Sequence, residues 1–274
     1  MMNCIGMIVP TVDNSFFAAL ASCVERELRA SGYQAVVCGS NNDAETEKAA
    51  FRHLEELGAK GILCVSGLRE FPEELLPEKV PLVWVDRVPA SKRDIPWVAN
   101  DDRAAMQEAT QHLIDKGCRS ILLMPGFLAQ GQESPRVAGY QAALQKNELP
   151  YDHQFVLNRK GEKSSEAESE QMVRDLLRQG VKIDGIITAS DRAAFGAMAG
   201  LRSVGLYVPE DVRLISFDNS PYSTMATPSI TALDRNPAAL AQRACQILLA
   251  RIQGGDTARD NIIPVSLVKR DSTR

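Results

Sequence analysis

The stretch Gly205-Leu-Tyr-Val-Pro-Glu-Asp-Val-Arg-Leu-Ile-Ser-Phe-Asp218 decides the fold. A glycine closes a helix, Val208-Pro209 makes a turn, Val212–Phe217 is an apolar run of strand length, and an aspartate follows at once. A glycine just past a helix supplies the left-handed residue that ends it. A near-continuous apolar strand that follows a helix belongs to a parallel sheet covered on both faces. Ligands of such sheets bind outside the carboxyl ends of the strands, and Asp218 stands at that edge. A carboxylate there only accepts hydrogen bonds, which suits the paired hydroxyls of a sugar or nucleoside.

The same rhythm extends outward in both directions. Cys4–Val9, Gln34–Cys38, Gly61–Val65, Leu82–Val85, Ser120–Met124, Val156–Asn158, Gly185–Thr188 and Pro264–Val268 read as strands. Phe16–Ala30, Ala44–Leu57, Asp101–Lys116, Pro135–Gln145, Ser165–Gln179, Arg192–Val204 and Ala238–Ile252 read as helices, several closed by glycine. The polar run Gly161–Glu170 reads as a loop and helix start. About a dozen strands is many for one twisted sheet, so two sheets are expected. No Pro/Gly/Ser-rich linker separates two halves. The expected fold class is therefore α/β, with two doubly wound parallel-sheet lobes joined by crossings near Cys118, Leu233 and Ile262. That assigns residues 1–118 plus 234–261 to one lobe and 119–233 plus 262–274 to the other.

Composition narrows the function. The 274 residues carry 31 basic and 35 acidic side chains, a net charge of -4. A domain that grips DNA unaided is usually basic, so this chain is not expected to do so alone. No window approaches the roughly 20 apolar residues of a membrane span. Met1–Gly6 has no basic region before its apolar run, so no secretory signal is read, and the cytoplasm is the expected compartment. The six cysteines form no Cys-x-x-Cys pair and read as reduced core residues. The three histidines are far apart, so neither a metal site nor a cofactor is expected.

Several residues fall at strand-to-helix turns, where ligand chemistry and helix capping compete. After the first strand, Asp13, Asn14 or Ser15 can cap the next helix. Phe16 and Phe17 are adjacent, so they cannot share one helix side. Either one ring is core and the other a staple, or one ring packs on a ligand's apolar face. Arg136, on the first turn of a helix after a Gly/Gln/Ser/Pro loop, is either a surface arginine or a rigid fork for adjacent hydroxyls. Asp191 and Asp101 are each either first-turn acids or ligand contacts. No Gly-x-Ser-x-Gly elbow, Walker loop or Gly-x-Gly-x-x-Gly is present, so no catalytic set emerges and an enzyme is not expected.

Taken in order, these turns resemble the effector-binding core of the LacI/GalR transcriptional regulators, from residue 3 to residue 270. The resemblance is carried by Val9-Pro10 with Asn14-Ser15-Phe16-Phe17, by Asp101-Asp102 with His112-Leu113 and Gly117, and by Arg136-Val-Ala-Gly139-Tyr140. It continues in Asp191-Arg-Ala-Ala194-Phe-Gly196, in Gly205 with Val208-Pro209, Asp211-Val212 and Phe217-Asp218, and in Pro264–Arg270. It implies a periplasmic-binding-protein type I fold, with a small polar effector, a sugar or sugar derivative, held between the lobes. It further implies a homodimer, allosteric control of transcription, and effector contacts from Phe16, Phe17, Asp101, Arg136 and Asp218. Operator DNA would be bound only through a helix-turn-helix headpiece, which does not occur in these 274 residues; the chain thus reads as a core cut from a longer regulator.

Three departures qualify the resemblance. Ser190 stands where the family typically has asparagine beside Asp191. Lys163 stands where several members place a stacking aromatic, and Asp234-Arg235 where glutamine is common. Ser190, Asp191, Lys163 and Arg235 therefore join the expected ligand contacts, and the added cations favour an anionic effector such as a sugar acid. A periplasmic solute-binding protein of a sugar transporter shares the fold. Against it stand the missing signal, the unpaired cysteines and the Gly205–Asp218 pattern.

Overall fold

The computed structural model describes residues 3–68, 70–77, 80–126, 134–158, 165–255 and 261–274. The chain divides into two compact units, Met1–Asn100 with Asn236–Pro264, and Asp101–Arg235 with Val265–Arg274. In chain order the first unit contributes β1 (Cys4–Val9), α1 (Ser15–Ala30), β2 (Gln34–Gly39), α2 (Ala44–Glu56), β3 (Ile62–Cys64), β4 (Leu82–Val85) and β5 (Trp97–Asn100). The second follows with α3 (Asp102–Asp115), β6 (Ile121–Met124), α4 (Pro135–Lys146), α5 (Ser165–Arg178), β7 (Gly185–Thr188), α6 (Asp191–Arg202), β8 (Arg213–Phe217), α7 (Pro221–Met225) and β9 (Thr231–Asp234). The chain then returns to the first unit for α8 (Pro237–Ile252) and β10 (Ile262–Ile263), and ends in the second with β11 (Ser266–Val268).

The first unit's sheet has six strands in the order β10-β5-β4-β3-β1-β2, all parallel. Period-2 alternation explains how it buries both faces. Ile5, Met7 and Val9 of β1 point into a core with α1 and α8, where Leu20, Val24, Leu28, Ala244 and Leu248 are buried. Cys4 and Ile8 point the other way, against Phe51 and Leu54 of α2 and the ring of Trp84.

The second unit repeats this logic with five strands, β11-β9-β8-β7-β6. Ile121 and Leu123 of β6 face α3 and α4, through Met106, Leu113, Tyr140 and Leu144. Leu122 and Met124 face α5 and α6, through Val173, Ala194, Ala197 and Leu201. Helix pairs here approach closely at glycine. A Cβ on Gly139 would collide with the Arg103 carbonyl, and one on Gly196 with the Glu166 carbonyl. Both obstacles are backbone and cannot swing aside.

Several expectations change. The first crossing falls between Asn100 and Asp101, not near Cys118, because α3 buries Ala105, Met106, Ala109 and Leu113 in the second unit's core. The sheets are not wholly parallel, since β11 pairs antiparallel with β9. The strand read over Pro264–Val268 is two short ones, β10 and β11, on either side of the last crossing. Val156 forms only an isolated bridge, to Leu123. Two strands escape the sequence reading. Both β5 and β9 have four residues, and proline or an irregular loop precedes each. All six cysteines are free thiols, four of them buried.

Candidate functional site

In the first unit, Asn14 proves to be the residue that caps α1. Its Oδ1 accepts from the Phe16 and Phe17 amides at 2.9 and 3.2 Å. Phe16 and Phe17 are both buried in that unit's core, edge to face at 5.5 Å. The division into one core ring and one staple therefore does not occur. The Arg87 guanidinium lies 5.4 Å from the Phe17 ring centroid and donates to Asn42 Oδ1 at 2.8 Å. The turns after β1, β2 and β4 are thus linked at the carboxyl edge of this sheet.

The turn after β3 is held by a residue the sequence did not single out. Glu47, on the first turn of α2, is fully buried. It accepts from Ser66 Oγ at 2.6 Å, the Gly67 amide at 2.9 Å and Cys64 Sγ at 3.7 Å. Burial raises its pKa above the usual carboxylate value, and these donors only partly oppose that. Burial, and then the facing carboxylate, push the Cys64 thiol well up. In sequence, Glu47 is indistinguishable from an ordinary first-turn acid.

The second unit gathers most of the polar candidates. Arg136 is the second residue of α4. Its Nε donates to Asp102 Oδ2 at 2.8 Å, and Nη1 lies 3.4 Å from the Pro125 carbonyl. Its guanidinium carbon sits 4.0 Å from the centroid of the Phe217 ring. An ion pair and a cation–π contact together fix the plane of the fork. Asp101, the expected ligand acid, is exposed and caps α3, accepting from the Ala104 amide at 2.9 Å. Its neighbour Asp102 holds the arginine. One residue of register separates the two, and a sequence that reads Asp-Asp cannot resolve it.

Asp218 and Arg235 follow the adjacent strands β8 and β9, with side chains 3% and 6% exposed. Arg235 Nη1 stands 3.5 Å from Asp218 Oδ1, a long ion pair. Asp218 and Asn219 have φ of +94° and +49°. Successive left-handed residues without glycine cost roughly 1–3 kcal/mol each and cluster at functional sites. Ser190, not Asp191, caps α6, with Oγ accepting from the Ala193 amide at 3.2 Å. Asp191 is fully buried. One of its oxygens accepts from Ser216 Oγ and the other from the Ser220 amide at 2.8 Å. Asp191 thereby ties the end of β8 to the start of α6. Lys163 lies outside the described residues.

These geometries give the second unit a polar edge of two arginine–aspartate pairs and a tethered carboxylate. Arg136 with Asp102, and Asp218 with Arg235, sum to zero formal charge. Fixed donors and acceptors of this kind suit the hydroxyls of a small polar molecule. Among the described residues no group of three or more metal-ligating side chains occurs, and no helix is long and apolar enough to cross a membrane.

Comparison with known proteins agrees with this architecture. The Ribose operon repressor of Halalkalibacterium halodurans is 29% identical over 98% of this chain and 79% of that protein. The HTH-type transcriptional regulator MalR of Streptomyces coelicolor is 30% identical over 98% of this chain and 80% of its own length. Among solved structures, a periplasmic binding protein/LacI transcriptional regulator from Alkaliphilus metalliredigens, complexed with D-xylulofuranose, superposes with a TM-score of 0.87. It is 26% identical and covers 99% of each chain. The pattern of periplasmic binding proteins and the sugar binding domain of the LacI family matches residues 2–271, and the chain belongs to that family.

Proposed function

We propose that this chain is the effector-sensing core of a LacI-type transcriptional regulator, acting in the cytoplasm and binding a sugar or sugar derivative. The observation that carries the reading is the second unit's polar edge: Arg136 fixed between Asp102 and the Phe217 ring, beside the buried Asp218–Arg235 pair. Arg136, Asp218, Arg235, Ser190 and Asp191 are assigned to the ligand's hydroxyls, and Phe16 and Phe17 of the first unit to its apolar face. Asp101 and Lys163 stay assigned on the resemblance alone. Since each arginine already faces an aspartate, a neutral sugar fits better than the anionic effector favoured by Lys163 and Arg235. The ribose and D-xylulofuranose named for two relatives are neutral pentose-sized molecules of this kind.

Effector binding would shift the population of the core's conformations. Coupling of about 1–3 kcal/mol to operator affinity is the usual scale. DNA contact belongs to the helix-turn-helix that gives the HTH-type relatives their name. A homodimer is supported by an exposed apolar group on the second unit. Tyr222 is 52% and Met225 77% exposed, and Phe195 meets the Tyr222 ring edge to face.

A thermal-shift screen tests the reading, with D-ribose, D-xylulose, cellobiose, sugar acids and phosphosugars as probes. A true ligand raises the melting temperature in step with its concentration. Arg136→Ala and Asp218→Ala should each remove that rise. A chain that responds to no sugar, or two variants that respond like the wild type, would refute the assignment.

A further inference from the structure

We propose that Arg270, in the last residues of the chain, is a positioning residue for the sugar site, holding the left-handed Asp218–Asn219 turn through the Asn219 side chain. The inference rests on the assignment of Asp218 to the ligand. Its evidence is a chain of contacts within the second unit. Arg270 Nη2 donates to Asn219 Oδ1 at 2.6 Å, and Asn219 Nδ2 donates to Asp234 Oδ2 at 3.0 Å. A cation on one side and a carboxylate on the other leave the carboxamide only one sensible orientation.

Arg270 is itself anchored. Its Nη1 donates to the Ile230 carbonyl at 2.7 Å, and its backbone amide to Thr231 Oγ1 at 2.8 Å. The neighbouring tail residues reinforce this anchor. Ser272 Oγ donates to the Leu214 carbonyl at 2.6 Å and accepts from the Thr231 amide at 2.8 Å. The guanidinium therefore reaches Asn219 from a fixed platform spanning β8 and β9.

The turn needs such a platform. Two consecutive residues with positive φ and side chains relax toward ordinary conformations unless their surroundings hold them. The Asp218 amide donates to the Leu233 carbonyl at 3.0 Å, and the Ser220 amide to Asp191 at 2.8 Å. These bonds fix the turn's two ends. Asn219 lies between them, and Arg270 and Asp234 fix it through its side chain. Loss of that clamp frees the Asp218 carboxylate to turn away from its ligand-binding orientation.

Asn219→Gly separates this role from conformational tolerance. Glycine adopts positive φ at no steric cost, so if Asn219 serves only to tolerate the backbone, the variant binds as the wild type does. The test pairs Asn219→Gly with Arg270→Met and the milder Arg270→Lys. Two quantities are read: amide hydrogen exchange of residues 216–223 without ligand, and calorimetric titration with the sugar that shifts the wild type most. The proposal expects at least tenfold faster exchange at Asp218 and Ser220 in Asn219→Gly and Arg270→Met, with Leu122 and Ile187 in the core unaffected. It also expects sugar affinity to fall tenfold or more, with Arg270→Lys in between. Wild-type exchange in both variants, or faster exchange with unchanged affinity, would overturn it. A wild-type chain that binds no sugar refutes the function instead, and the exchange measurement then decides alone whether Arg270 holds the turn.

Discussion

The two units are built alike, yet they hold their buried carboxylates differently. In the first unit, Glu47 is met by a hydroxyl, an amide and a thiol, and burial raises its pKa. In the second, Asp102 and Asp218 face guanidinium groups, and Asp191 faces a serine hydroxyl and an amide. Dipoles fix a loop at modest net cost and leave no charge to offer. Ion pairs of partly buried groups keep full charges fixed in orientation, ready to meet hydroxyls without reorganising. The polar recognition chemistry therefore concentrates in the second unit.

Removing one acid from each unit should break this symmetry most sharply. Asp191→Ala leaves the Ser220 amide and the Ser216 hydroxyl buried without their acceptor. Hydrogen bonds to a charged group contribute about 1.5–3 kcal/mol each, so a loss of about 3 kcal/mol is expected. Glu47→Gln keeps the shape and one acceptor oxygen, and its cost should stay near 1 kcal/mol. Urea unfolding measures both. Equal losses would mean that the two carboxylates do the same work.

Helix packing offers a second contrast. In the first unit, α1 meets α8 through Leu20, Val24, Ala244 and Leu248, side chains that can adjust. In the second, α6 meets α5 at Gly196, where a methyl group would strike the Glu166 backbone carbonyl. Alanine gains up to about 1 kcal/mol over glycine in helix propensity. Overpacking against rigid backbone costs about 1–3 kcal/mol or more, so the clash wins. Gly196→Ala should destabilise the chain by about 2 kcal/mol in thermal unfolding, and a stabilised variant would show that α5 can move away.

Much of this was legible in the sequence, for reasons that differ by residue. Strands such as Ile121–Met124 are apolar throughout because both faces are covered, and no partner strand is needed to recognise them. Arg136 and Asp218 were visible because topology alone puts them at strand ends. The Asp101–Asp102 choice was not, since both residues open the same helix and only the contact with Arg136 separates cap from partner. Glu47 and Asn219 were hidden for a related reason. Their roles come from Gly67, Asp234 and Arg270, which are 15 to 51 residues away in the chain. Short strands such as Thr231–Asp234 carry too few residues to show a period. The first crossing was misplaced because α3 begins directly after β5, with no linker to mark the change.

The smallest effects are also the most diagnostic, because the units should answer to pH with opposite sign. Burial lowers the pKa of His112, whose Nε2 lies 3.0 Å from Thr273 Oγ1, and Lys269 and Lys116 add to the shift while Asp115 opposes it. Between the usual value of 6.5 and that lowered value, the unfolded chain holds more protons than the folded one. Stability from His112 is therefore lost as pH falls through this window. Glu47 is the reverse case. Its folded form holds the proton longer, so its contribution is lost as pH rises from 4.5 to its raised value. One pKa unit corresponds to about 1.4 kcal/mol, so both effects stay small. The measurement is the difference in melting temperature between variant and wild type across pH 4 to 8. For His112→Gln that difference should become more favourable to the variant on acidification, and for Glu47→Gln on alkalinisation. Parallel slopes would show that burial is not what separates these two groups from their solvent-exposed counterparts.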